Sequence, residues 1–397
     1  MSLLDVIVIG AGPTGSYLAY KLADAGHEVL VLEREEGLGK TTCCTGIIGR
    51  ECVNSFPVDE QAIIRWVNSA SLFSPAGKPF RVFREEKQAC IVDRTAFDLA
   101  MAEQAQGRGA QYRLGGTVRD IKVGDSEVAV KVNQQGDESI HKARVAVVAA
   151  GFASRLTEKL GMGMFGDFVM GAQTEVSTRD FDEVEVYFGR KKAPGFFAWL
   201  VPTSPGKALA GLLSRRSPGI YLRKLLDNLL DEGKIVSADG ELSYGGIPLK
   251  PLARTYTERL VVVGDAAGQA KPTTGGGIYY GLLCADIAAN TLKMALKVND
   301  LSAKNLSRYE RGWKEKIGRE LRVGYWSRKL YESLTDRQVE RIFGIMKSSG
   351  IDRALLEAKE LSFDWHSDIL LRLLGYRVVA KAADVLKSPF LSRRGAK

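Results

Sequence analysis

The sequence predicts an α/β chain: a Rossmann-type nucleotide-binding domain interrupted by an antiparallel sheet and followed by a helical region. Three observations predict it. An apolar run meets a glycine turn and a helix near the N-terminus, short alternating strands fill the middle, and the last quarter mixes apolar positions at three- and four-residue spacing with Arg and Lys.

Residues 5–33, DVIVIGAGPTGSYLAYKLADAGHEVLVLE, read in order as strand, glycine turn, helix and second strand ending in an acidic residue. In this G-x-G-x-x-G arrangement Gly10 allows the tight turn, Gly12 lets the backbone approach a pyrophosphate, and Gly15 lets the helix pack close to the strand. Glu33 is placed to meet a ribose hydroxyl. The helix N-terminus offers unpaired N–H groups and the positive end of its dipole to the phosphates. A lone glycine motif is weak evidence. The VIVIG run before it, the helix after it and the acidic residue at 33 supply the context of a dinucleotide site.

Between the nucleotide segments the pattern changes to short alternating strands, SASLFSPAGKPFRVF at 69–83, then FVMGAQTEVSTRDFDEVEVYFG and GFFAWLVPTSPGKALAGLL within 168–213. The nucleotide domain is therefore expected to be discontinuous, over 1–68, 84–160 and 250–300. The antiparallel-sheet domain takes 69–83 and 161–249, and 301–397 form a C-terminal basic helical region.

The chain's 397 residues, 45% hydrophobic, can bury a large core. Asp5 interrupts the first apolar run and no basic segment precedes it, so no signal peptide is expected. No uncharged apolar stretch reaches the roughly 18–20 residues of a membrane-spanning helix. Five cysteines (43, 44, 52, 90 and 284) form no disulfide framework, which suits a reducing cytoplasm. Three scattered histidines without C-x-x-C or H-E-x-x-H spacing predict no protein-ligated metal. Charge is uneven: residues 301–397 hold 21 Lys+Arg against 12 Asp+Glu, so the whole net +9 lies in the last quarter. In RGWKEKIGRELRVGYWSRKLYESL and SDILLRLLGYRVVAKAADVL this reads first as the solvated face of packed helices. It reads second as a surface that docks on an anionic membrane or an acidic electron carrier. No nucleic-acid recognition motif accompanies the charge.

The second nucleotide signature, RLVVVGDAAGQAKPTTGGGIYYGLL at 259–283, resembles the distal motif of FAD enzymes of the p-hydroxybenzoate hydroxylase superfamily. The resemblance implies an FAD-binding domain in which Asp265 holds the ribityl chain. It also implies that Gly275, Gly276, Gly277 and the helix opening at Ile278 lie at the pyrimidine edge of the isoalloxazine, where a helix dipole stabilises the anionic reduced flavin. IVDRTAFDLAMAEQA at 91–105 matches the superfamily's Arg-x-x-Phe-Asp helix start, implying that Arg94 contacts the ribityl or phosphate region; Val118 joins the implied cofactor contacts. PGFFAWLVP at 194–202 is close to the aromatic-x-Trp-x-x-Pro element of the geranylgeranyl reductase family. TTCCTGI at 41–47 occupies the position of that family's cysteine loop. Over most of residues 1–330 the chain looks like an archaeal-type geranylgeranyl reductase.

That resemblance implies Phe197, Trp199 and Pro202 as a substrate wall, Cys43 as the cysteine facing the flavin and the reacting double bond, and Cys44 and Gly46 as cofactor contacts. Two departures matter. Phe197 stands where the family has Tyr, which removes a phenolic proton donor. Ala150-Gly151 replaces the superfamily's second Asp-Gly motif, which weakens a hydroxylase-like nicotinamide reaction. An isolated alkene is not polarised by a carbonyl, so its reduction needs a hydride from reduced flavin on one carbon and a proton on the other, in a dry pocket. An ordinary thiol, with a pKa of about 8.5, is protonated at neutral pH and can donate. The implied partners are an isoprenoid lipid substrate and an electron donor such as ferredoxin, reduced deazaflavin or NAD(P)H. The expected location is cytoplasmic, with peripheral contact on the inner face of the membrane. Two rivals share the evidence: a flavin-dependent monooxygenase or halogenase of the same fold, marked by oxygen consumption, and a non-catalytic isoprenoid-binding or electron-relay flavoprotein, marked by binding without turnover.

Overall fold

In the computed structural model, which describes residues 3–39, 43–152, 155–179, 181–348, 362–368 and 370–371, the first apolar run forms the strand Leu4–Ile9 at the centre of a sheet. The chain divides into two units, one of residues 1–66, 89–171 and 243–322, the other of 67–88, 172–242 and 323–397.

In the first unit Leu4–Ile9 is flanked on one side by Val29–Leu32 and Gln111–Arg113, and on the other by Asp137–Val148, Leu260–Val262 and Tyr256–Thr257. These pairings are parallel up to the edge strand Tyr256–Thr257, which is antiparallel. Val8 lies opposite Val31 and Val147, and Val148 opposite Val262. Val6, Val8, Val31, Val147 and Val262 are fully enclosed, as expected of a parallel sheet covered on both faces. The strand Asp137–Val148 is long enough to pair twice. Its first half runs antiparallel to Val128–Gln134, which in turn pairs with Thr117–Val123. Helix Pro13–Ala23 packs against Arg94–Gly107 and Ile278–Lys297.

The long helix Ala303–Ser333 begins in the same unit. Leu306, Tyr309, Trp313, Ile317 and Leu321 recur at three- and four-residue spacing and are buried. The Trp313 indole N–H donates to Thr255 Oγ1 at 2.9 Å, and the Tyr309 hydroxyl donates to the Val262 carbonyl at 2.8 Å. The second basic stretch read from the sequence, 367–386, lies mostly outside the described residues. Among the described residues no helix is long and apolar enough to cross a membrane.

The second unit is built on a sheet in the order Ile235–Ser237, Phe168–Thr178, Lys207–Ser214, Phe197–Pro202, Val184–Phe188, Ser69–Phe73 and Pro79–Phe83. Helix Pro218–Asp231 lays Leu222, Leu225, Leu226 and Leu229 on Ala172, Ala198, Leu200, Ala210 and Leu212, the small alanines allowing close approach. Val184–Phe188 runs parallel to Ser69–Phe73, with Val186 opposite Leu72. The hairpin 69–83 reaches this sheet from a distant part of the chain, so no tight turn fixes its direction against its neighbour.

Candidate active site

The glycine turn is built by mutual exclusion of side chains. A Cβ on Gly15 would lie 2.0 Å from the Gly10 carbonyl oxygen, and one on Gly10, whose φ is +107°, would lie 2.4 Å from the Ala149 carbonyl. Gly12 differs: a Cβ there would meet nothing within 4 Å, so the site in front of it is open. Gly12 begins helix Pro13–Ala23 without a side-chain cap, with Pro13 at the first position. Such a helix end suits an anion. Glu33 closes the turn, accepting from Ala11 N–H at 2.8 Å and from Glu35 N–H at 3.1 Å.

The distal turn repeats the arrangement. Gly277 begins helix Ile278–Lys297, again without a side-chain cap, and a Cβ on it would lie 2.4 Å from Asp265 Oδ1. Gly275 has φ +80° and donates to the Lys271 carbonyl at 2.8 Å, while Lys271 donates to the Gly276 carbonyl at 3.0 Å. Burial pushes the Asp265 carboxyl up to about 6, against the pull of the Arg94 guanidinium. Thr14 ties the two turns together, because Gly264 and Gly281 both lack the side chain that would strike its hydroxyl. Behind Asp265, Gln269 accepts from Gly264 N–H and donates to the Tyr309 hydroxyl, both at 2.8 Å.

Arg94 opens a helix capped by Asp93, which accepts from Thr95 N–H at 2.8 Å and Ala96 N–H at 3.1 Å. Its guanidinium is paired with Asp98 one turn on, at 2.9 and 3.0 Å from Nη2 and 3.1 Å from Nε. Burial works to lower the Arg94 pKa, but neighbouring Cys44 and Asp98 more than offset it and hold the guanidinium charged. Gly46, at φ +70°, turns the cysteine loop where any Cβ would lie 2.3 Å from the Val92 carbonyl, and its N–H donates to Cys44 Sγ at 3.4 Å. Thr41 and Thr42 of that loop lie outside the described residues.

Cys43 is half-buried, its thiol donating to the Ser243 carbonyl at 3.7 Å. Burial pushes this thiol up; the Ser243 contact only partly opposes it. It rests against the strand Ser243–Pro248 at Gly245, whose missing Cβ would lie 3.2 Å from Cys43 Cβ. On the next residue the same device admits a ring, since a Cβ on Gly246 would lie 1.9 Å from Phe152. Val118 sits in the strand Thr117–Val123 opposite Val132, half-buried against the core of the sheet.

The first unit thus brings together Gly10, Gly12, Gly15 and Glu33 at one turn, Asp265, Gly275, Gly276, Gly277 and Ile278 at the other, and the Cys44–Arg94 pair. Phe197, Trp199 and Pro202 belong to the second unit. Phe197 and Trp199 share a face, with ring centroids 6.2 Å apart. Trp199 lies across Gly211, where a Cβ would fall 2.6 Å from the indole, and its buried N–H has no hydrogen-bond partner among the described residues. Strand alternation turns Pro202 the other way, onto the buried face with Ala198 and Leu200. Of the three expected wall residues, then, only two face together.

Comparison with known proteins decides what this arrangement belongs to. Residues 4–187 match the family described as pyridine nucleotide-disulphide oxidoreductase. Digeranylgeranylglycerophospholipid reductase of Methanocaldococcus jannaschii is 31% identical, over 88% of this chain and 92% of its own. This chain belongs to the digeranylgeranylglycerophospholipid reductase family. It is an FAD-dependent reductase. The crystal structure of a geranylgeranyl bacteriochlorophyll reductase-like protein from Thermoplasma acidophilum has the same fold, with a TM-score of 0.84, 23% identity and coverage of 97% of this chain and 100% of the other. The myxobacterial chondrochloren halogenase, also FAD-dependent, aligns with a TM-score of 0.67 at 17% identity, over 95% of this chain and 98% of its own. The fold is therefore shared by enzymes of different chemistry, and sequence kinship separates them.

The residues present fit FAD. Open space in front of Gly12 and two helix N-termini without side-chain caps suit the pyrophosphate and the flavin edge, and Asp265 offers acceptor oxygens. Sequence reasoning gave no role to Asp98, although it sits in the quoted motif four residues after Arg94, the spacing of a helix ion pair. It also missed Thr14 and Phe152, whose partners are distant in sequence and leave no local signal.

Proposed function

We propose that the enzyme hydrogenates the isolated double bonds of geranylgeranyl chains carried by a membrane lipid or a prenyl diphosphate. Kinship with the Methanocaldococcus jannaschii reductase over nearly the whole chain carries this reading. Gly10, Gly12, Gly15, Glu33, Cys44, Gly46, Arg94, Val118, Asp265, Gly275, Gly276, Gly277 and Ile278 hold the cofactor. Bound and reduced, FAD supplies the hydride. Cys43 supplies the proton: desolvation keeps its thiol protonated through neutral pH, and the Ser243 carbonyl orients the S–H. Phe197 and Trp199 exclude water from the alkene, and Phe197, lacking a hydroxyl, leaves the proton to Cys43. Pro202 fixes the strand end from the core side. The electron donor is a ferredoxin, a reduced deazaflavin or NAD(P)H, and the protein works at the inner surface of the membrane.

The test is anaerobic incubation of the dithionite-reduced protein with a geranylgeranylated glycerophospholipid and with geranylgeranyl diphosphate, followed by mass spectrometry. Two hydrogens gained per double bond, lost in Cys43→Ala or Trp199→Ala, supports the reading and ranks the substrates. Unchanged lipid alongside reduced flavin transfers the weight to oxygen-using chemistry.

A further inference from the structure

Helix Ala303–Ser333 presents two opposite faces within the first unit. Leu306, Tyr309, Trp313 and Ile317 are buried. About half a turn away, at three- and four-residue spacing, lie Lys304, Arg308, Arg311, Glu315, Arg319 and Arg322, all exposed. That stripe carries five cations and one carboxylate. A solvated helix face that served only solubility would alternate the signs.

We propose that this stripe is the docking surface for an acidic, one-electron carrier protein that delivers reducing equivalents to the enzyme; the proposal rests on the reductase reading. Two observations favour a protein over an anionic membrane. Among the described residues of this helix only Trp326, one turn beyond Arg322, exposes a large apolar side chain, whereas a helix lying in a membrane interface needs a whole apolar face to insert. The buried side of the helix also leads directly to the cofactor turn. Tyr309 donates to the Val262 carbonyl at 2.8 Å and receives a hydrogen bond from Gln269, which holds Gly264, the residue before Asp265. An α-helix is about 10–12 Å across with its side chains, so a carrier on the stripe stands on the order of one helix diameter behind that turn. The chemistry balances: two carriers are oxidised by one electron each, the flavin takes up those two electrons with one proton from solvent, and each double bond takes up a hydride from it and a second proton.

The test uses the FAD-loaded full chain and a reduced acidic iron–sulfur ferredoxin as probe, with flavin reduction followed by stopped flow. The parent protein is expected to be reduced at a rate that falls steeply between low and physiological salt. The triple variant Arg308→Glu, Arg311→Glu, Arg319→Glu is expected to be reduced at least tenfold more slowly at low salt. FAD content, melting temperature and reduction by dithionite are expected to stay at parent values. Equal rates for parent and variant overturn the proposal, as does failure of the ferredoxin to reduce the parent at any salt. Loss of binding to phosphatidylglycerol vesicles with ferredoxin reduction unchanged assigns the stripe to the membrane instead. Because flavin reduction is read without lipid, failure of the hydrogenation reading shows separately, as reduced flavin that leaves geranylgeranyl lipid untouched.

Discussion

Gly12 and Gly15 stand three residues apart in one turn, and replacing each by alanine separates what the ligand needs from what the fold needs. In Gly15→Ala the new methyl would lie 2.0 Å from the Gly10 carbonyl oxygen, a backbone atom that cannot rotate away. Overpacking of this kind costs about 1–3 kcal/mol. In a unit of this size each kcal/mol lowers the melting temperature by roughly 2–4 °C, so the apoprotein should melt roughly 2–12 °C lower. Gly12→Ala meets nothing within 4 Å, and Gly12's φ of −70° is open to any residue. Loss of a glycine cap costs up to about 1 kcal/mol, offset by about 0.4–1 kcal/mol from a less flexible unfolded chain. Its apoprotein should therefore melt close to the parent. FAD binding responds differently, because the methyl occupies the space through which the pyrophosphate approaches the helix N–H groups. One lost charge-assisted hydrogen bond, about 1.5–3 kcal/mol, weakens binding roughly 10- to 160-fold. The assay pairs melting of the apoproteins with a flavin-fluorescence titration. Gly12→Ala binding FAD like the parent, or losing as much stability as Gly15→Ala, would show that the two glycines do not divide these roles.

Three further outcomes are expected. Burial raises the Cys43 thiol pKa, so hydrogenation should be flat across neutral pH and fall only above the ordinary thiol range; a pH–rate profile that falls between pH 6 and 8 contradicts Cys43 as donor. Asp265, raised to about 6 by burial, binds more protons folded than unfolded between about pH 4 and 6, so stability should decline as pH rises through that window. Asp265→Asn should flatten that slope in pH-dependent denaturant unfolding. Asp98→Ala strips Arg94 of its bidentate partner and should cost about 3–5 kcal/mol, as for one half of a buried ion pair, with Arg94→Met/Asp98→Leu recovering a large part; equal losses in single and double variants would show no coupling.

The parallel sheet and both nucleotide turns were legible because their signals are local: glycine spacing, an apolar run and a helix start lie within a few tens of residues. The inserted sheet was legible as strands but not as partners. Alternation reports which side chains share a face and says nothing about the strand alongside, so the parallel pairing of Val184–Phe188 with Ser69–Phe73 was not visible. The same alternation, followed past Trp199, would have placed Pro202 on the buried face; motif spacing alone hid it. Gly246 showed no purpose in sequence because the ring it admits, Phe152, lies 94 residues earlier. The basic last quarter could not be divided by composition. The structure divides it along helix Ala303–Ser333, where Tyr309 and Trp313 face the core and Arg308 and Arg311 face solvent.

Reduced flavin on this chain passes its reducing equivalents to an isolated double bond. The most direct test is an anaerobic single-turnover titration: the fully reduced protein is mixed with substoichiometric geranylgeranyl lipid, and the return of oxidised-flavin absorbance is followed with the lipid recovered for mass spectrometry. One flavin is expected to be reoxidised for each double bond saturated, with Cys43→Ala slowing the return at least tenfold. Flavin that stays reduced in the presence of bound lipid, and reoxidises only when oxygen is admitted, would contradict it.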